Sequence, residues 1–258
     1  MVPLLLSTFL AVVSFDHSSW DQFLKKYVND KGEIHYAAAQ SDPSLLDTYL
    51  QKVKEIPFSE VKTWPREERI ALWVNVFNAG VVHLILKHYP VKTAMRIPGF
   101  WEDRAIRIGS SNLFSLSQIE NDILRQGFRD EKILFGLSKG AKDSPRLRPE
   151  AYTGAQVEGQ LYLATREFVN DERRNRIDPL KKKVMLSRLF KWNSQDFLIN
   201  WSDFPEPSGF DVAQMSVLSF FAYYLQDPKK IEFLKEGKYK VKYQDFDWDL
   251  NDTSKTSS

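Results

Sequence analysis

The chain contains no cysteine. That absence excludes disulfides, thiolate metal sites and thiol catalysis together. It says little about compartment, because 258 residues supply core enough to fold without disulfides. Histidine is scarce: His17, His35, His83 and His88 are the full set. His83 and His88 are five apart, so a regular helix turns them to different faces. No H-E-x-x-H or similar ligand spacing occurs, and no metal or cofactor is expected. There is no G-x-S-x-G elbow and no glycine-rich phosphate loop. Ser59-Glu60-Val61-Lys62 fits S-x-x-K, but its companion motifs are missing and chance supplies the spacing in a chain with this much Ser and Lys. The many Asp and Glu residues single out no glycosidase pair.

An excess of one charge is also lacking. The 36 basic and 34 acidic residues leave a net +2, which argues against a nucleic-acid partner. The basic clusters Arg173-Arg174-Asn175-Arg176 and Lys181-Lys182-Lys183 read as solvated helix ends or loops. Long apolar runs are missing except at the N-terminus. Val2 to Val13 is apolar apart from Pro3, Ser7 and Thr8. It falls short of the roughly 20 residues a bilayer requires and has the length of a signal-peptide core. Val12-Val13-Ser14 offers small or branched residues for cleavage, although no Lys or Arg precedes the run. Export to the periplasm or the exterior is the expectation, with a buried N-terminal strand or helix as the alternative. No transmembrane anchor is expected beyond this segment.

What is present is core material: 43% hydrophobic and 14% aromatic residues, enough to exclude a disordered chain. Helical spacing places Trp20, Phe23, Leu24 and Tyr27 on one face of a helix over 19–28, followed by a turn at Asn29-Asp30-Lys31-Gly32. A helix over 43–54 is capped by Ser41 or Asp42. Pro65 opens a long helix that ends at His88, before Tyr89-Pro90. A hairpin is expected over 104–114 and a capping box at Ser117-Gln118-Ile119-Glu120. Helices follow over 149–170, 180–190 and 211–224, then a strand at 239–243. These elements predict an α+β fold, a mostly helical single domain over 15–250 with a small antiparallel sheet, between the signal-like residues 1–14 and a disordered tail at 251–258.

The long helix is apolar nearly all round, so it is expected to be buried. Asn75 and Asn78 then sit inside the protein, where each amide needs partners. Either they tie the helix to neighbouring backbone, or one lines a pocket and orients a ligand. His83 lies on a different face. Further on, the apolar run Ile133 to Leu137 reads as a strand feeding a small basic loop, Ser138 to Pro145, and then a helix start at Arg148-Pro149-Glu150. Such a loop commonly presents a reactive side chain.

Trp73-Val74-Asn75-Val76-Phe77-Asn78-Ala79, with His83 and Tyr89-Pro90-Val91-Lys92 behind it, resembles the W-x-N-x-Y-N-A signature of the domain-of-unknown-function 547 family. Other blocks agree in order: Trp20-Asp21 with Tyr27-Val28, Leu116 to Leu124, Leu147 to Thr153, Phe190-Lys191-Trp192 with Asp196-Phe197, and Phe246 to Asn251. The resemblance covers about residues 18 to 252 and implies a papain-like or transglutaminase-like fold. Many members carry a histidine and one or two cysteines in the loop. Position by position, the histidine falls on Leu134, the first cysteine on Lys139 and the second on Ser144. This chain departs from the family at each of them.

Three functions fit. The first is an exported, non-catalytic binding or scaffold protein lacking the Cys-His pair. The second is a hydrolase or transferase working from the same cleft with Ser144, Lys139 and His83 as catalytic candidates and Asn75, Asn78 and Tyr152 as binding residues. It requires these groups to converge. The third is an envelope-associated structural protein in which both asparagines face backbone. The partner is open in all three.

Overall fold

A computed structural model describes residues 14–201 and 209–255. The apolar run at 1–13 and the last three residues of the expected tail lie outside this range. The chain begins with helices α1 (Ser18–Tyr27), α2 (Tyr36–Ser41), α3 (Ser44–Lys54) and α4 (Phe58–Val61). These pack around the long α5 (Arg66–His88). The hairpin β1 (Ile106–Ile108) and β2 (Asn112–Phe114) follows, antiparallel, with Arg107 opposite Leu113. Then comes one continuous helical segment in three parts: α6 (Leu116–Gln118), a π-helix over Ile119–Arg125, and α7 (Gln126–Phe128). The rest comprises α8 (Ile133–Gly136), α9 (Val157–Val169), strands β3 (Arg176–Asp178) and β4 (Lys183–Leu186), α10 (Arg188–Trp192), α11 (Val212–Tyr224), α12 (Pro228–Glu236) and β5 (Lys240–Tyr243). The α+β reading holds.

α5 is long and apolar enough to cross a bilayer, with a mean hydropathy of 1.6, but 89% of that stretch is buried inside the protein. It is the axis of the first apolar cluster, which includes Trp20, Tyr36, Tyr49, Phe77 and Ile119. A second cluster joins Leu134, Phe135, Phe190, Phe197, Phe220 and Phe221. α8 and α9 serve both: Ile133 and Leu161 belong to the first, Phe135 and Phe168 to the second.

Several elements differ from the sequence expectation. Residues 133–136 are helical, because a buried apolar run this short fits helix and strand equally and the turn from Asp130 decides: Asp130 O accepts from Ile133 N. The helix expected from Pro149 starts only at Val157. The amides of Ala151, Tyr152 and Thr153 instead donate to Asp21, Asn75 and Gln160 side chains, which hold 151–153 extended. Of residues 180–190 only 188–190 are helical, at the start of α10; 183–186 form β4, with Val184 and Leu186 turned inward and Lys182 in the left-handed region at the turn before it. The capping box lies two residues earlier than expected, with Ser115 Oγ accepting from Gln118 N and Gln118 Oε1 accepting from Ser115 N. In place of one antiparallel sheet there are two sheets, and in the larger one β5 runs parallel to β4. Arg174 is buried rather than solvated.

The tail expectation also changes. Asn251 and Asp252 are buried. Asn251 Nδ2 donates to Gly32 O at 2.8 Å and Asn251 Oδ1 accepts from Tyr36 Oη at 3.0 Å, while its backbone joins Ile34 and Gly140. Replacing it strands a buried hydroxyl and a carbonyl. Asn251→Ala is therefore expected to cost about 2–4 kcal/mol in urea unfolding, summing the two orphaned groups.

At the start of α1, burial pushes the His17 imidazole down to about 4. Its Nδ1 lies 3.0 Å from the Tyr49 hydroxyl, and Nε2 has no partner among the described residues. The unfolded chain takes up this proton near the ordinary 6.5, so stability is complete above that pH and falls as pH drops toward 4. The loss amounts to about 3 kcal/mol. Unfolding free energies measured from pH 7 to pH 4 should fall more steeply for the wild type than for His17→Gln.

Candidate functional site

Two buried amides on α5 organise the region where the family resemblance places chemistry. Asn78 Nδ2 donates to Gly136 O at 2.9 Å, and its Oδ1 accepts from Ser138 N at 2.8 Å. One turn earlier, Asn75 Nδ2 donates to Tyr152 O at 2.7 Å and Oδ1 accepts from Tyr152 N at 3.0 Å. A side-chain amide has the same donor–acceptor pair as a peptide, so each asparagine acts as a short piece of strand and satisfies backbone that no sheet reaches. Of the two readings open for these residues, the geometry is that of backbone ties. Tyr152 contributes mainly its backbone. Its hydroxyl is buried without a partner among the described residues, and burial pushes its pKa up.

The loop from Ser138 to Pro145 lies on the Val81–Ile85 side of α5. Gly140 has φ of +68°, and a methyl group there would sit 2.5 Å from Ile85 Cδ1, so both backbone and space call for glycine. Lys139 Nζ lies 2.6 and 2.5 Å from the two oxygens of Glu120 and 5.4 Å from the centre of the Trp101 ring. Both ends of the pair are largely shielded, with side-chain exposures of 18% and 9%. Ser144 is 2% exposed. Its Oγ donates within reach of Ala141 O (2.9 Å) and Pro145 O (3.2 Å) and accepts from Lys139 N at 3.3 Å. Leu134 is 3% exposed among the aromatic rings of the second cluster.

Two further elements cover the loop, one read from sequence as a solvated basic cluster and the other as a family-like block running into the tail. The Arg174 guanidinium donates to the carbonyls of Lys142, Asp143 and Ser144 and pairs with Asp171. The C-terminal strap runs alongside: Lys142 N donates to Asp249 O, Asp143 Oδ2 accepts from Asp247 N, and Asn251 N donates to Gly140 O. Nothing in sequence tied Arg174 to a loop thirty residues earlier. Five of the clefts among the described residues take no wall from residues 137–145, although one of them is lined by Arg146 and Arg174, which adjoin the loop.

His83 stands apart. It lies two residues from Val81 and Ile85, or about 200° around the helix, and lines a cleft of about 680 Å³ with Asp47, Lys54 and Lys87. Burial, then the Lys87 charge, pushes its imidazole down to about 4, so it is neutral at pH 7. The structure thus brings Asn78, Ser138, Lys139 and Ser144 together, sets Asn75 with Tyr152 beside them, and leaves His83 on the opposite face of α5.

Residues 61–169 match the model of a family described as "Protein of unknown function, DUF547". The match spans less than half of the chain. It runs from the end of α4 to the end of α9 and holds both asparagines, Glu120 and the loop. Arg174 and the C-terminal strap lie beyond it. No curated protein and no solved structure matches the chain, so no structural relative stands behind the papain-like or transglutaminase-like expectation.

Removing the Asn78 amide orphans Gly136 O and Ser138 N in a buried place. Asn78→Ala should cost about 2–5 kcal/mol in urea unfolding, summing the penalties for two buried polar groups. His83→Ala removes no hydrogen bond and should cost about 1 kcal/mol or less.

Proposed function

We propose that this chain is a non-catalytic binding or scaffold member of the DUF547 type, exported by way of the apolar run Val2 to Val13. The observation that carries the reading is the Lys139–Glu120 pair. Where the family resemblance puts a thiol, this chain has an ammonium held by a carboxylate in a shielded place. An amine must be free to attack, and both oxygens of Glu120 already hold this one. Ser144 supports the same reading: its proton is directed at backbone carbonyls, and among the described residues no imidazole is bonded to it. The export half of the proposal rests on the length and composition of residues 2–13.

The test is a screen of ester and amide substrates on the wild type, Ser144→Ala and the double variant Lys139→Met/Glu120→Leu. The expected outcome is the background hydrolysis rate for all three. Turnover by the wild type that disappears in Ser144→Ala or in the double variant overturns the proposal. The double variant replaces the pair by apolar residues and is expected to stay folded, whereas Glu120→Gln alone leaves a shielded ammonium unpaired and should lose about 3 kcal/mol or more.

A further inference from the structure

A cleft of about 470 Å³ opens between α4, the N-terminal half of α5, β2 and the end of the π-helix. One wall is aromatic. Trp73 packs edge-on against Phe114 with ring centres 5.4 Å apart, and Phe58 lies 5.6 Å from Phe114 and 6.3 Å from Trp73. Phe128 forms the opposite side with Arg69, whose guanidinium carbon lies 5.4 Å from the centre of that ring. Lys62 stands exposed at the edge.

The charges in this cleft are all of one sign. Lys62 and Arg69 line it, and no carboxylate does. By contrast, the cleft around Arg125 carries Asp130, Glu131 and Asp196, and there Arg125 is already paired with Asp196. The neighbouring Arg66, stacked on the same Phe128, is engaged with Glu158, Asp130 and the Phe128 carbonyl. Arg69 has no such engagement: among the described residues its side chain makes no hydrogen bond or ion pair, and its Nε is buried without a partner. A buried guanidinium nitrogen without an acceptor is costly, and a ligand oxygen at that point relieves the cost.

We infer that this cleft binds an amphipathic organic anion, with its apolar body against Phe58, Trp73 and Phe114 and its carboxylate at Arg69 and Lys62. The volume lies within the range of small-molecule sites, and apolar walls with a few convergent polar groups are their usual composition. The inference is independent of what the loop at 138–145 does, because Lys139 and Ser144 do not line the cleft.

Isothermal titration calorimetry with dodecanoate, dodecanol and dodecyltrimethylammonium below their micellar concentrations tests it. Dodecanoate should bind with one-to-one stoichiometry, about tenfold or more tightly than the alcohol, and the cation should bind weakest. Arg69→Met should lower dodecanoate affinity about tenfold and leave dodecanol unchanged, and the exposed Lys62→Gln should weaken dodecanoate severalfold without touching the fold. No binding of dodecanoate by the wild type overturns the inference. So does equal binding of all three compounds, or dodecanoate affinity that survives both substitutions. Because none of these variants alters Lys139 or Ser144, failure here leaves the proposal about that loop where it stands.

Discussion

A buried helix that cannot form a sheet still has to satisfy the backbone packed against it. α5 is enclosed on nearly every side, and the segments crossing it at 136–138 and 152 have no strand beside them. Asn75 and Asn78 supply the missing peptide-like pairs from side chains. Much else hangs on those four hydrogen bonds. With Asp21 and Gln160 they hold the 151–153 segment out of the helix that its sequence favours, and they tie down the start of the loop at 138–145. The same constraint explains why these polar residues persist inside an otherwise apolar stretch. An apolar side chain there fills the volume and leaves two backbone groups unpaired.

With the loop so anchored, its remaining polar groups are met one by one. Three of its carbonyls receive Arg174, its outer edge receives the C-terminal strap, and its one inward-reaching cation receives Glu120. Each partner comes from a different part of the chain, with sequence separations from 19 to over 100 residues. A reactive loop needs an unsatisfied nucleophile and room for a substrate. Here the Lys139 ammonium is held by Glu120 and the Ser144 hydroxyl faces backbone carbonyls, which is the physical content of the proposal that this segment serves as a frame.

The sequence was informative wherever a local rule dominates. The 3.6-residue pattern and Pro65 place α5 almost to the residue, and Asp211 and the apolar run behind it place α11. It was misleading where a distant group decides. Pro149 reads as a helix start until Asp21, Asn75 and Gln160 claim the amides that follow. Arg173-Arg174 reads as a solvated cluster until the carbonyls of 142–144 are brought to Arg174 alone. Asn251 reads as tail until Tyr36 and Gly32 meet it from more than two hundred residues away. The candidate site divides in the same way. The asparagines were legible, because a polar residue on a buried face must be paired. Glu120 as the partner of Lys139 was not, because nothing local distinguishes it from Asp122 on the same helix.

The π-helix at 119–125 links the frame and the aromatic cleft. Within seven residues it sends Glu120 to Lys139, Ile123 to the wall beside Trp73 and Phe114, and Arg125 to Asp196. Wider winding is found mostly where a helix must serve unusual demands on its side chains, and here three directions are served by one short stretch. Glu120 is held by a shielded ion pair, and Ile123, further along, lines the apolar wall. A lysine at position 139 therefore does more than displace a thiol. Through Glu120 it meets the same short stretch that carries Ile123 to the wall of the cleft.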